Sequence, residues 1–343
     1  MTILITILII AVLILVHEWG HFFTARRIGI PVHEFSIGFG YQLFSIKKNG
    51  VVYSLRLLPL GGYVRMAGEE PGDQEDPNGF SNRTPLEKIR VAFAGPFMNF
   101  VLAVFIFIYI YTFIGVPHNV DEPVIGRVVS GQPADRAGIQ AGDIILSVNG
   151  ESINSWTEFT GKLADNPEGQ VLEIKAMRNE IIESFTLTPE KSDTAETPII
   201  GVAGKVEYEK QGIVNSIKIG FQQTYQLTAL LLSGLWMMIS GGVSMNDVAG
   251  PVGIVQLVGE AAQFGGVFLL SFSAFLSINL GILNLLPIPA LDGSRIVFAI
   301  VEAIRRKPLE PEKEGFVHWI GFLFLIGLML LVTYNDIIRL IRG

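Results

Sequence analysis

The chain has 343 residues, half of them hydrophobic and only 17% charged, with a formal net charge of −7 and no cysteine. Such a composition is that of a membrane protein with room for two or three units. It excludes disulfides and thiolate metal sites, so a bound metal would rely on His, Asp or Glu; the acidic balance argues against nucleic acid as a partner.

The first apolar run, Ile3–Phe23, is long enough to cross a bilayer as a helix. It lacks a basic leading region and a small-residue cleavage site, and reads as a retained transmembrane helix rather than a removable signal peptide. Inside it stands Val16-His17-Glu18-Trp19-Gly20-His21. Ionisable side chains are costly in lipid and mark a functional site by default. HExxH on a helix puts both imidazoles on one face, one turn apart, where they can share a zinc ion, with the glutamate placed to activate water. A chance HExxH would arise in on the order of one such chain in a few hundred.

Between this run and the next apolar stretch, Tyr41–Lys48 and Val51–Leu58 are rich in strand formers and flank Asn49-Gly50, a strong hairpin signal. Leu58–Arg65, with Gly61 and Gly62, is expected as a loop close to the membrane. The plain reading is an ordinary hairpin; the functional one is a strand edge that holds an unwound substrate backbone. Asp73–Asn78 and Ser81–Thr84 read as solvated loops.

Further spans are expected at Pro96–Val116, Phe264–Ile288 and Phe316–Tyr334. Residues 25–95 hold nine Lys/Arg against seven Asp/Glu, whereas the longer 116–263 holds nine against eighteen. With Arg26-Arg27 after the first span and Arg305-Arg306-Lys307 in the last short loop, the positive-inside rule puts the loops after spans one and three in the cytoplasm. Both chain ends and the acidic segment then lie outside. Residues 213–243 include the apolar runs Leu227–Leu232 and Leu235–Ile239, preceded by polar Gln222, Gln223, Thr224 and Gln226; an interfacial or re-entrant helix is preferred to a fifth span.

Residues 119–207 alternate strand-like runs (Val124–Val129, Ile144–Val148, Val171–Ala176, Ile182–Leu187) with turn signals and one helix near Trp156–Leu163. Pro133–Gly150 resembles the bacterial PDZ signature. Near the end of span three, Asn284-Leu-Leu-Pro287-Ile-Pro289-Ala-Leu-Asp292-Gly293 breaks the helix twice. Asp292 is the only carboxylate between Phe264 and Gly293. Alone it reads equally as a turn or cap residue; with HExxH expected at the same depth, it becomes the candidate third ligand of a catalytic zinc.

Taken together, HEWGH at 17–21, LPLGGYVRMAGE at 58–69, FAGPFMNF at 93–100, the PDZ signature, AGPVGI at 249–254 and NLLPIPALDG at 284–293 resemble the site-2 protease family in its bacterial RseP/RasP type, with one PDZ domain where many members have two. The resemblance implies an intramembrane zinc endopeptidase with one Zn2+ per chain. It implies His17, His21 and Asp292 as ligands and Glu18 as general base. Asn284 would hold substrate or the oxyanion, unless it is a packing amide, and Gly61, Gly62, Pro287 and Pro289 would shape the substrate site. Asn99 is expected to pack. In such proteases the PDZ is permuted, which makes Ile199-Ile200-Gly201-Val202 the candidate carboxylate loop of a peptide groove; the alternative is a PDZ that only gates access by size. Implied partners are the lipid bilayer, single-span substrates and an upstream site-1 protease. Substrates of the type are anti-sigma factors already cut by that protease, or signal-peptide remnants.

The expected fold is a polytopic α-helical membrane protein of about four transmembrane helices, with a membrane-associated β-hairpin and one extracytoplasmic PDZ domain. Its parts are 1–118 (two spans, HExxH and hairpin), 119–207 (PDZ), 208–263 (interfacial or re-entrant segment) and 264–343 (two spans and NxxPxPxLDG). It would sit in the bacterial cytoplasmic membrane, with its active site near the cytoplasmic side. Rival readings are an inactive membrane-bound PDZ scaffold, which would need neither Glu18 nor Asp292, and a transporter, which would spread charges over several spans.

Overall fold

The computed structural model describes residues 1–69, 76–166, 170–190, 199–241 and 249–342. Residues 73–75 of one expected loop lie outside these. The chain divides into two compact units, 113–211 and the remainder.

The larger unit opens with α1 (Thr2–Ile28), closed by Gly29 in the left-handed conformation that ends helices at no steric cost. β1 (Val32–Lys48) and β2 (Val51–Met66) follow. Leu58–Arg65, expected as a loop, is strand: Val32–Ile37 pairs on one edge with Val52–Leu55 and on the other with Gly62–Met66. The reason is that β1 continues back past the hairpin and offers Gly62–Met66 a partner edge, which local composition does not reveal. Gly38 and Gly40, both at positive φ, let β1 bend between its two pairings. The sheet is fixed to α1 by Phe22, whose ring meets those of Phe35 and Tyr53 at 5.2 and 6.0 Å.

α2 (Pro85–Tyr109) begins well before the expected span, at a capping box in which Thr84 and Glu87 exchange hydrogen bonds. It runs into a π-helical turn, Ile110–Ile114. Small residues let the helices approach: a Cβ on Gly20 would lie 2.4 Å from the Ala94 carbonyl, and one on Gly281 would lie 3.1 Å from that of Pro96.

The smaller unit contains β3 (Val116–Asn119), β4 (Ile125–Val128), α3 (Pro133–Arg136), β5 (Ile144–Val148), β6 (Glu151–Ser152), α4 (Trp156–Ala164), β7 (Leu172–Arg178), β8 (Ile181–Leu187), β9 (Val202–Gly204) and β10 (Val206–Glu209). One antiparallel sheet has the order β6-β5-β7-β8; β4 pairs with β9 and β3 with β10. Ile125, Ile145, Phe159, Leu172, Ile174 and Ile200 form its core. Asp143 is buried and takes two hydrogen bonds from Arg178, at 2.7 and 2.6 Å, so its charge is matched inside the fold.

The larger unit resumes with α5 (Ile213–Ile239), α6 (Pro251–Gln263), α7 (Gly266–Leu285), α8 (Asp292–Arg305) and α9 (Pro311–Arg342). Among the described residues, four helical segments are long and apolar enough to cross a membrane: Thr2–Ile28, Pro85–Ile114, Gly266–Leu285 and Glu312–Ile341. α5 falls outside that set. The stretch between the last two is not merely a short loop, because α8 fills it with a helix whose Glu302 is buried against Lys88 of α2 at 2.8 Å.

Candidate metal centre

His17 and His21 are buried on the face of α1 that α2 covers. Their Nε2 atoms are 3.2 Å apart. Asp292, the first residue of α8, brings Oδ2 to 3.0 Å from Nε2 of His17 and 3.3 Å from that of His21. Among the described residues these three form the group that could hold a metal ion.

The triangle has the size zinc requires. Ligands about 2.0–2.2 Å from a tetrahedral ion lie about 3.3 Å from one another. Asp292 Oδ2 has no hydrogen-bond partner, as expected of an atom reserved for a cation. Gly95 of α2 keeps the space clear: a Cβ there would lie 2.2 Å from Nε2 of His21 and 2.8 Å from that of His17.

α2 also orients the imidazoles. Nδ1 of His21 lies 2.8 Å from the Val91 carbonyl, to which its N–H donates. That carbonyl is in the turn loosened by Pro96, which has no N–H to offer Ala92. Nδ1 of His17 meets the Asn99 side-chain amide at 3.2 Å, and Asn99 is fully buried. With Nε2 facing a metal, Nδ1 carries the proton, so the amide must present its oxygen to it. As placed, Nδ2 faces the ring and Oδ1 has no partner; turning the amide over pairs Oδ1 with the His17 N–H. Asn99 was expected only to pack; the FAGPFMNF motif contained the signal, but not its distance from α1.

Asp292 is held by the loop before it. Ala290 has a φ of 76°, rare for a side-chain-bearing residue, and its N–H donates to Nδ1 of His318 on α9. Pro289 lies against α9 where only Gly321 fits, since a Cβ there would come within 2.3 Å of the proline. His318, which belongs to none of the sequence motifs, is therefore a support of this loop.

A cavity of about 360 Å³ opens beside the triad, lined by His17, Glu18, His21, Tyr63, Asn284 and Asp292 among others. Asn284 is thus at the site. Gly62 is close by, with its would-be Cβ 3.6 Å from Cγ of Glu18, while Gly61 turns toward the Phe39 ring. Pro287 and Pro289 shape the loop rather than line the cavity. In the smaller unit the Ile200 carbonyl accepts from Ala134 N–H and that of Gly201 from Val129 N–H, with Val202 opening β9; they are remote in sequence from the triad and belong to the separate unit.

Two histidines and an aspartate around a metal-sized space, with a glutamate next in sequence on an apolar helix, define a membrane zinc hydrolase. The comparisons agree: the model for Peptidase family M50 matches residues 5–328, and the chain belongs to that family. It is 36% identical to the zinc metalloprotease RasP of Bacillus licheniformis and 34% to the regulator of sigma-W protease RasP of Bacillus subtilis, each over 99% of both chains. It is 37% identical to a putative zinc metalloprotease of Clostridium acetobutylicum, over 98% of this chain and 97% of that one. The PDZ domain of an SdrC-like protein from Listeria monocytogenes covers 26% of this chain and 93% of its own, at 24% identity and a TM-score of 0.23. The protein is a membrane zinc metalloendopeptidase with Zn2+ as its cofactor.

Proposed function

We propose that the protein cuts transmembrane segments of single-span membrane proteins in regulated intramembrane proteolysis. The observation that carries this reading is a metal triad with two ligands on the apolar helix α1, beside the edge of β2, with Tyr63 and Val64 of that strand lining the same cavity. A peptide bond in a helix is shielded by its own hydrogen bonds; adding the unwound segment to a strand edge re-pairs its backbone and exposes the carbonyl.

His17, His21 and Asp292 would hold the zinc, which when bound supplies Lewis acidity toward the scissile carbonyl and toward water. Glu18 is the general base: its carboxylate takes a proton from the attacking water and hands it to the leaving nitrogen. Asn284, on the cavity wall, donates from its amide to substrate or developing oxyanion.

We further place the hairpin at the membrane and the active site near the cytoplasmic side, with Arg26-Arg27 and Arg305-Arg306-Lys307 inside and the PDZ-like unit outside the cytoplasmic membrane. α5 would lie in the interface: Val214, Ile217, Phe221, Tyr225, Leu232, Trp236 and Ile239 are exposed along one stripe, while Ser216, Gly220 and Thr224 are buried on the other. Substrates of this reading are anti-sigma factors trimmed by a site-1 protease and signal-peptide remnants; the name of the Bacillus subtilis relative, regulator of sigma-W protease, favours the former. Ile200, Gly201 and Val202 would receive a peptide end in the PDZ-like unit.

The test is cleavage of a single-span substrate with a short outer stub, in liposomes, by wild type and Glu18→Gln. Wild-type cleavage and a loss of about 10²–10⁴-fold in the variant, with zinc retained, is expected. Equal cleavage by both would assign the activity to another site.

A further inference from the structure

Glu69 follows the last strand of the sheet by three residues, and it faces two ways. One carboxylate oxygen accepts from the N–H of Met66, the final residue of β2, at 3.3 Å. The other pairs with the Arg295 guanidinium at 2.5 Å. Arg295 stands three residues after Asp292 on α8, hence on the same helix face. Its guanidinium also lies 5.8 Å from the centroid of the Phe80 ring. Both Glu69 and Arg295 line the metal cavity at the side remote in sequence from the histidines.

The arrangement matters because the two parts of the site have different carriers. The sheet rides on α1, through Phe22, Phe35 and Tyr53. Asp292 rides on α8, which packs on α2. A peptide on the edge of β2 is cut at the right bond only if that edge keeps its distance from the metal. An error of about 1 Å is enough to cost on the order of 100-fold in rate, and a slip of one residue along a strand turns every side chain to the other face.

We propose that Arg295 is a positioning residue: through Glu69 it clasps the end of β2 to the helix that bears Asp292, and so sets which substrate bond faces the metal. This rests on the proteolytic reading above and on β2 as the substrate edge. The pair is a joint between the strand that presents the peptide and the helix that supplies a ligand. Glu69 itself touches neither ligand nor, in this scheme, the reacting atoms. Partial burial of both side chains, 30% and 17% exposed, keeps solvent from loosening the joint.

The test uses Glu69→Gln and Arg295→Lys in the full chain, in liposomes. With the pair weakened, kcat is expected to fall about tenfold or more at little change in KM. Mass spectrometry of the products should show cuts spread over neighbouring bonds, while zinc content and unfolding temperature stay at wild-type values. Wild-type rates with a single wild-type cleavage site in both variants would overturn the proposal. So would a loss of activity that merely tracks zinc loss, since that makes the pair part of the metal site's stability. A second measurement needs no proteolysis. Spin labels at Arg65→Cys on β2 and Ala303→Cys on α8, the only cysteines in the chain, report the distance between strand and helix by pulsed electron resonance. Adding Glu69→Gln should broaden that distribution, and an unchanged one overturns the clasp. Failure of the wild type to cut any substrate would count against the proteolytic reading alone, and the spin-label result would still decide the clasp.

Discussion

The buried amide of Asn99 lies 3.2 Å from Nδ1 of His17, on the opposite side of the imidazole from the metal triangle. It fixes which ring nitrogen carries the proton and keeps the ring from rotating off the metal. Asn99→Leu fills similar volume but offers no acceptor, so the His17 N–H is left unpaired. The expected outcome is zinc affinity weakened about 10–100-fold with the helices intact, read by competition with a metal chelator and by circular dichroism. Unchanged affinity would show that His17 is held by packing alone.

Gly95 is required for a different reason. A methyl group at this position would stand in the space between Nε2 of His21 and Nε2 of His17. The backbone of α2 cannot retreat far, because Asn99 is fixed on its other side by the Ser277 hydroxyl, which donates to its carbonyl at 2.8 Å. Gly95→Ala should therefore abolish stoichiometric zinc binding while the helix, with better intrinsic propensity at that position, still forms. Metal content of the purified variant by atomic absorption checks this; a full zinc complement would mean that the imidazoles can move aside.

Lys88 and Glu302 join α2 to α8 with both side chains at least 90% buried. Replacing one partner leaves a charge with no solvent and no counterion. Lys88→Met should destabilise the protein by about 3–5 kcal/mol, and adding Glu302→Leu should recover much of the loss. Denaturant unfolding in detergent micelles measures both. If the double variant is no more stable than the single one, the strain lies elsewhere.

Glu34 supplies a pH dependence. Burial pushes its pKa up, but hydrogen bonds from Ser54, Arg56 and Tyr63 outweigh it and hold the carboxyl below its ordinary value of 4.5. A carboxyl whose pKa is lower in the folded state adds stability above the unfolded value, and that contribution fades as pH falls through the folded one. The wild type should therefore lose more unfolding temperature than Glu34→Gln between about pH 6 and pH 3. Parallel curves for the two proteins would remove Glu34 from the account.

The sequence read differently well in different places. His17, Glu18 and His21 were legible because a local helical repeat places them and because apolar surroundings make polar residues conspicuous. Asp292 was legible by elimination, as the lone carboxylate near the break at Pro287 and Pro289. What stayed hidden depends on contacts between distant segments. Nothing near Leu58–Arg65 announces that Val32–Ile37 will pair with it. The start of α2 was masked by Glu87, Lys88 and Arg90, charges that argue against a span although Thr84 and Glu87 form a clear cap. His318 has no distinguishing neighbours in sequence, and FAGPFMNF flags Asn99 without showing its partner; their roles appear only when α9 meets the loop at Ala290 and α2 meets α1.

The metal triangle is closed by residues from the two ends of the chain, His17 and His21 near its start and Asp292 near its finish. During synthesis at about 5–20 residues per second, the histidines precede the aspartate by tens of seconds. Two imidazoles alone make an incomplete catalytic zinc site. The three-ligand site is thus complete only once α8 has been made and has packed on α2.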